Sequence, residues 1–387
     1  MSKKVLFCAT VDYHFKAFHL PYMKWFQDKG WEVHVAARGD IELPFVDEKY
    51  NIPIKRSPFH MNNVNAYKEL KKIIEKHNYE IIHCHTPMGG VLARLAARKA
   101  RKKGTKVIYT VHGFHFFKGA PFINWLVYYP IEQSLSRYTD CLITINEEDY
   151  QLALKKFNQN ICIKKIHGVG VDLEKFKTVN DQEKMKLRKK YGFRMEDFIL
   201  IYPAELNLNK NQKVLLESIV LLKNHIPNIR LLLPGEGSME EEYKKFLKDN
   251  YIEENVFLYG FCEHIHELIQ LSDLSVSSSL REGLGMNLVE GMACGKPVIA
   301  MDNRGHRELI KQGTNGFIFH KGDELVERVL EIYTSSVKRE EMGKMGIYIS
   351  KIYSQTNTLK EMDEIYGMYM RLTSPSLSTN AFKSRKL

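Results

Sequence analysis

Two glutamates eight positions apart, Glu282 and Glu290, bracket a run that holds two glycines, Gly283-Leu284-Gly285-Met286-Asn287. Carboxylates at this spacing, on either side of a loop that can hold a diphosphate, can accept hydrogen bonds from hydroxyls, one from a sugar at one end of the diphosphate and the other from a ribose at the far end. The glycines keep side chains out of the way, so the backbone of Gly285, Met286 and Asn287 can approach a diphosphate closely. Histidines form a second group: His83 and His85 in Ile-Ile-His-Cys-His-Thr-Pro, His112 and His115 in Val-His-Gly-Phe-His, and His14 beside Asp12 and Lys16. A neutral imidazole can hydrogen-bond a sugar or steady charge at a reacting centre. The His-x-His pair is also half of a zinc motif, but no Cys or carboxylate follows at ligand spacing, so no metal is expected.

These groups need elements to hold them. Residues 274–278 read as a buried strand, Gly283 and Gly285 as a loop, Met286 as the start of a helix, and Gly295-Lys-Pro as the opening of another strand. The helix then points unpaired N–H groups and a partial positive charge beyond the strand end, where a phosphate is favoured. Similar apolar runs recur at 5–11, 32–37, 81–85, 106–112, 141–145 and 163–167, and again at 198–204, 230–234, 256–259, 298–301 and 316–319. Strands alternating with helical patterns imply parallel sheets whose ligands sit beyond the carboxyl ends of the strands. The expectation is two Rossmann-like, doubly wound α/β domains facing across a cleft. Residues 1–172 form the first, 173–197 a linker and 198–372 the second, and the Ser/Thr-rich residues 373–387 form a disordered tail.

The chain's 387 residues suffice for two cores. Its formal charge of +11 is uneven. Residues 1–172 carry 26 Lys and Arg against 16 Asp and Glu, whereas 173–387 carry 31 against 30. Arg94, Arg98, Lys99, Arg101, Lys102, Lys103 and Lys106 form a run without an acid. Such a run suits an anionic membrane surface, and its plainer reading is a solvated helix face. Aromatics crowd residues 114–129 around Lys118, as at a bilayer interface or in a core-facing helix. No apolar run reaches the ~20 residues of a membrane span, and the first strand is too short for a signal peptide, so a cytoplasmic protein lying on the inner face of the plasma membrane is expected. The six cysteines show no C-x-x-C pair and read as reduced thiols.

The full motif, Arg281-Glu-Gly-Leu-Gly-x4-Glu290-Gly-Met-Ala-x-Gly-x-Pro-Val-Ile-Ala, resembles the donor-site signature of retaining glycosyltransferases of family 4, which have the GT-B fold. The resemblance implies that Glu282 contacts the donor sugar, Gly283 to Asn287 hold the diphosphate, and Glu290 binds the ribose. Val-His112-Gly is similar to the family's acceptor-domain histidine near the transferred sugar, and His85 is expected to bind the acceptor. Lys210 and Asn211 match the family's diphosphate-binding pair, while Gly235 and Phe261 sit in turns resembling those near the donor. Two departures stand out. Glu205 occupies the place of the expected Arg, and the usual glycine-rich loop after the first strand is replaced by Asp12, His14 and Lys16, which are expected to read the acceptor. A carboxylate facing a diphosphate is repelled, so Glu205 is expected either to pair with Lys210 or to turn into its own loop near Asn207 and Asn209.

P-loop, Asp-x-Asp and dinucleotide fingerprints are missing from the motifs. The reading is a retaining transferase that needs no cofactor or metal. It moves a sugar from a nucleotide-diphosphate donor, with uridine expected as the base, to a lipid-linked saccharide in exopolysaccharide or capsule synthesis, with no nucleic-acid partner. An epimerase of the same fold, or a silent nucleotide-sugar-binding subunit, remain the alternatives.

Overall fold

The computed structural model describes residues 2–158 and 160–372. Thirteen strands are found among them, in two sheets, and every strand pairing is parallel. The first sheet holds β1 (Lys4–Val11), β2 (Glu32–Arg38), β3 (Glu48–Asn51), β4 (Ile81–His85), β5 (Lys106–Val111), β6 (Cys141–Thr144) and β7 (Cys162–Lys165), in the order β3-β2-β1-β4-β5-β6-β7. The second holds β8 (Phe198–Ile201), β9 (Ile229–Pro234), β10 (Val256–Gly260), β11 (Leu274–Ser277), β12 (Val298–Met301) and β13 (Gly316–Phe319), in the order β10-β9-β8-β11-β12-β13. The central strands are buried on both faces, which is why they read as continuous apolar runs rather than alternating ones.

β3 lies outside the expected set. Its sequence, Glu-Lys-Tyr-Asn, is an edge strand of the sheet with no fully buried residue, so it lacks the apolar run that marks the others.

Two compact units result. The first contains residues up to 144, 150–166 and the C-terminal helix from 359; the second contains Ile145–Asp149 and His167–Thr358. Residues 173–197, expected as a linker, are part of the second unit. The Asp181–Tyr191 helix opens with a capping box between Asn180 and Glu183. Its Arg188 is buried, donating to the carbonyls of Leu271, Met195 and Asp197 and to Asp273 at 2.7 Å. A helix anchored by a buried guanidinium instead of an apolar stripe looks like a solvated segment in sequence. The Gln355–Leu372 helix begins in the second unit and ends in the first, where Tyr366 hydrogen-bonds His83 Nδ1 at 2.7 Å. The expected tail, 373–387, lies outside the described residues.

Each sheet reverses its strand order beside its first strand: β1 lies between β2 and β4, and β8 between β9 and β11. Ligands of open parallel sheets bind beyond the carboxyl ends at such switch points. Those ends carry His14, His85 and His112 in the first unit, and Glu205 to Lys210 and Glu282 in the second.

Candidate functional site

In the second unit, the loops after β8 and β11 are fastened together. Leu280 donates its backbone N–H to Asn209 O at 2.8 Å, Asn209 Nδ2 donates to Arg281 O at 3.1 Å, and Ser278 Oγ donates to Lys210 O at 2.8 Å. This places Lys210 Nζ against Glu282 Oε1 as a hydrogen-bonded ion pair. Ser279 Oγ donates to the same Oε1 at 2.6 Å, and Tyr202 OH, fully buried, lies 2.6 Å from Ser279 Oγ. Burial pulls the Lys210 ammonium down, but the Glu282 carboxylate outweighs it and leaves the group above its ordinary value. Burial likewise pushes Glu282 up, and Lys210 with Ser279 holds it below the usual carboxylate range. Both are therefore charged at neutral pH.

Glu205 makes no hydrogen bond or ion pair with Lys210 among the described residues and adds only a minor coulombic pull on its ammonium. It is exposed and makes no side-chain hydrogen bond among the described residues; only its carbonyl is used, by Gln212 Nε2 at 3.0 Å. The expectation that Glu205 pairs with Lys210 or turns into its loop is corrected on this point. Glu282 takes the ammonium, and Asn207 Oδ1 caps the backbone N–H of Lys210 at 3.0 Å. Asn211 adopts the left-handed conformation at φ 53° that starts the Gln212–Leu222 helix. Asn tolerates that region better than most residues.

The glycine loop ends as expected in the Met286–Ala293 helix. Gly285 sits at φ 95°, where a Cβ would meet His306 Cδ2 at 3.0 Å, so a side chain here is opposed by backbone and space together. Gly168 presses against the same loop, since its Cβ would lie 2.7 Å from Leu284 Cδ2. From the other side, His306 is fully buried, with Nδ1 2.6 Å from Met301 O and Nε2 3.2 Å from Ser277 Oγ. Burial holds its imidazole below the ordinary value against the pull of Glu282. Asn146 Nδ2 donates to Gly283 O at 2.8 Å, and Arg304 pairs with buried Asp149 at 2.7 Å. The loop is thus preorganised on nearly every side. Its first helical turn leaves backbone N–H groups unused by the helix, and Asn287 Nδ2 is buried without a partner among the described residues.

Glu290 lies four residues further along this helix, one turn on. Burial pushes its carboxyl up to about 7, with Lys175 opposing. Gly235 and Phe261 occupy facing turns: Gly235 donates to Gly260 O at 2.7 Å, and its Cβ would strike Ala204 O at 1.9 Å. Phe261 is 65% exposed, available as an apolar surface.

In the first unit, His85 ends β4 and His112 follows β5, and they meet at 3.4 Å (Nε2 of His112 to Nδ1 of His85). His14, in the Tyr13–Phe18 helix after β1, and His19, at its junction with the Leu20–Asp28 helix, meet at 3.0 Å through their Nε2 atoms. Burial lowers the basicity of all four, that of His112 to about 4. Asp12 does not join them. Its carboxylate is buried and accepts from Ile41 N at 2.8 Å and Lys49 Nζ at 2.7 Å, so it ties the end of β1 to the β2–β3 loop and to β3, and its expected acceptor role is corrected to a structural one. Lys16 is exposed.

The basic run also divides. Arg94 is buried, forked onto Glu132 at 2.8 and 3.1 Å and stacked 3.9 Å over Tyr109, while Arg101 pairs with Asp140 at 2.8 Å. Arg98, Lys99, Lys102 and Lys106 line one surface groove with Lys71. Of the aromatic segment, Phe114 and Phe116 are core, whereas Phe122, Ile123 and Leu126 are 79%, 58% and 61% exposed on one helix edge.

Sequence reasoning did not single out Tyr202, Ser279, His306, Arg304 or His19. For Tyr202 and the Ser277–Ser279 run, hydroxyls inside an apolar strand pattern were a readable signal. For His19, which comes from a helix junction, there was none.

Residues 4–146 match a family model described as glycosyl transferase 4-like, and residues 183–347 one described as glycosyl transferases group 1. The chain is 56% identical over 98% of its length, and over the whole of the relative, to EpsD of Bacillus subtilis (strain 168), a candidate glycosyltransferase. It is 26% identical over 80% of its length, and 81% of the relative's, to an Escherichia coli UDP-Gal:alpha-D-GlcNAc-diphosphoundecaprenol alpha-1,3-galactosyltransferase. Among solved structures, Anabaena HepE in complex with UDP and glucose superposes with a TM-score of 0.78 at 19% identity, covering 95% of this chain and all of that one.

Proposed function

Because the chain belongs to the group 1 glycosyltransferases with a family-4-like first domain and the GT-B fold, we propose that it transfers a sugar from a UDP-sugar to a lipid-linked saccharide, with retention at the anomeric carbon, in exopolysaccharide or capsule assembly. The observation that carries this reading is the Lys210–Glu282 pair held against the preorganised glycine loop and the N-terminus of the Met286–Ala293 helix.

In this reading the diphosphate lies at the helix N-terminus and takes charge-assisted hydrogen bonds from Lys210. Glu282, kept ionised by that lysine, accepts from the sugar's hydroxyls, and Glu290 accepts from the ribose. As the anomeric C–O bond breaks, negative charge grows on the leaving phosphate, where Lys210 and the loop N–H groups stabilise it without rearrangement. The acceptor hydroxyl attacks from the face the phosphate leaves, and its proton passes to a phosphate oxygen. No protein nucleophile and no catalytic metal enters this scheme, and His112 serves as a neutral hydrogen-bonding partner of the sugar. Uridine is supported by the UDP-bearing structural neighbour and the UDP-Gal relative, and a diphosphate-lipid acceptor by the latter's name.

We place the enzyme on the inner face of the plasma membrane through the Phe122, Ile123 and Leu126 edge, aided by the lysines of the basic groove. No helix of the described residues is long and apolar enough to cross a membrane. The test is a mass-spectrometric assay of nucleotide sugars against diphosphate-linked lipid saccharides, with the product's anomeric configuration read by NMR. Inversion at the anomeric carbon, or interconversion of the donor with no glycoside formed, rejects the proposal.

A further inference from the structure

Among the described residues, the first unit collects four imidazoles in one group that includes no carboxylate or thiol. His14, His19, His85 and His112 each offer one ring nitrogen, and these nitrogens all lie within 4.8 Å of one another. They come from three chain segments: the helices after β1, the last residue of β4, and the first residue beyond β5. These strands stand side by side in the order β1-β4-β5, so the convergence is built by the sheet's switch point and not by one flexible loop.

We propose that these four histidines form a binding site for a single borderline transition-metal ion, Zn²⁺ foremost. Three observations carry this. First, the spacing fits: a tetrahedral ion with metal–nitrogen bonds of ~2.0–2.1 Å needs ligand nitrogens roughly 3.3 Å apart, and the two distances resolved in the cluster are 3.0 and 3.4 Å. Second, the opposite nitrogens of two of these rings, His19 Nδ1 and His85 Nε2, are buried with no hydrogen-bond partner among the described residues, so no protein group fixes either tautomer and each ring can carry its proton there while the contact nitrogen ligates. Third, a comparison inside the same unit shows what a satisfied group looks like. His34, Glu48 and His77 also approach one another, but His34 uses both nitrogens, on Tyr79 OH and Glu32 Oε1 at 2.7 Å each, and His77 Nε2 meets Tyr50 OH at 2.8 Å. His83, next to the cluster, is likewise spent on Tyr366 and Thr110. It is therefore scaffold, not ligand.

The donor set selects the ion. Four neutral imidazoles suit Zn²⁺, Cu²⁺ or Ni²⁺ and not Mg²⁺, Mn²⁺ or Ca²⁺, which prefer oxygen. His14 and His112 are partly accessible while His19 and His85 are buried, which leaves an entry side and a closed side. With the metal bound, His112 gives one ring nitrogen to the ion and keeps the other, as N–H, for the sugar.

The experiment is calorimetric titration of Zn²⁺ into the full chain after chelator treatment, with the visible d–d spectrum of Co²⁺ as a second readout. The expected result is one ion per chain, a Co²⁺ spectrum of four-coordinate type, and a loss of affinity of at least about tenfold in His14→Asn. His14 is only partly buried and Asn keeps a polar group there, so this variant is chosen to fold; His85→Gln is the second probe, and circular dichroism checks both. His60→Ala and His77→Ala should bind as the parent does. The proposal is overturned if the folded parent shows no saturable binding, if His14→Asn binds Zn²⁺ as tightly as the parent, or if His77→Ala is the variant that loses the ion.

Discussion

Replacing Lys210 by Met removes the one ammonium that the described residues bring to Glu282, and its consequences can be worked out separately for stability and turnover. The two side chains are 24% and 16% exposed. Breaking a fully buried pair from one side costs ~3–5 kcal/mol. Solvent at these exposures screens the loss toward the ~1–2 kcal/mol between that figure and the surface-pair value. The turnover effect should be larger than the stability effect suggests. A preorganised donor aimed at developing charge is worth about 100-fold or more in kcat, and the unit charges involved interact by ~4 kcal/mol at ~4 Å and an effective dielectric of ~20. Lys210→Met should therefore fold, melt a few degrees lower, and lose about 100-fold in kcat/KM on one UDP-sugar donor. The decisive comparison is the double variant Lys210→Met with Glu282→Gln. Removing the uncompensated carboxylate should restore most of the lost stability and none of the lost turnover. If turnover returns with stability, Lys210 serves only to neutralise Glu282 and the phosphate assignment is wrong. Glu205→Gln belongs in the same series and should cost much less than Lys210→Met, because its carboxylate is exposed and outside the pair.

Three other outcomes are expected. Glu290, pushed up to about 7 by burial, should make the affinity for an intact UDP-sugar rise by up to about tenfold from roughly pH 6 to pH 8 as the carboxylate ionises, and Glu290→Gln should flatten that profile in calorimetry. The same shift has a stability sign. The native state holds this proton where the unfolded chain has lost it, so the contribution to stability is whole below about pH 4.5 and lost as pH rises toward 7, and melting curves of Glu290→Gln should lack that slope. Gly285→Ala should destabilise by about 1–2 kcal/mol through its left-handed backbone and weaken UDP binding as well, a loss of stability alone arguing that the loop does not touch the donor. Phe122→Ser with Leu126→Ser should reduce flotation with vesicles at all ionic strengths. Lys99→Glu with Lys102→Glu and Lys103→Glu should reduce it only where the lipids are anionic and the salt is low; equal retention of both variants and parent would remove the membrane contact.

What the sequence made legible follows from which physical constraint was local. Buried parallel strands must be apolar on both faces, so twelve of the thirteen could be located from their runs, and β3 escaped because an edge strand made of Glu-Lys-Tyr-Asn carries no such constraint. The glycine loop was legible because its conformation demands residue types within a few positions: Gly285 at positive φ, then a helix start. The identity of Lys210's partner was not, because that depends on two loops, 72 positions apart, being zipped together across neighbouring strands. Local reasoning weighed Glu205, five positions away, and the ammonium went instead to a carboxylate delivered by the next strand of the sheet. Arg188 and Arg94 teach the same lesson from the charge side. Both read as solvated cations in basic stretches, and both are buried anchors whose acids, Asp273 and Glu132, stand 85 and 38 positions away.

The histidines carry that reasoning to its end. A metal was judged absent from ligand spacing along the chain, where His83 and His85 stand without a Cys or carboxylate nearby. Spacing along the chain is a proxy that works when one hairpin or helix supplies the ligands. Here the sheet does the gathering: β1, β4 and β5 are neighbours in space and distant in sequence, and each delivers an imidazole at its carboxyl end. The His-x-His pair is divided by its partners and not by the pleat: His83 and His85, two apart in β4, share a face with ring centroids 4.1 Å apart, yet His83 is spent on Tyr366 and Thr110 while His85 turns to the cluster. In a doubly wound sheet, the test for a ligand set is therefore which strands are adjacent and which residues lie at or just beyond their carboxyl ends, and histidines gathered there from three adjacent strands are a stronger indication than any two in a row.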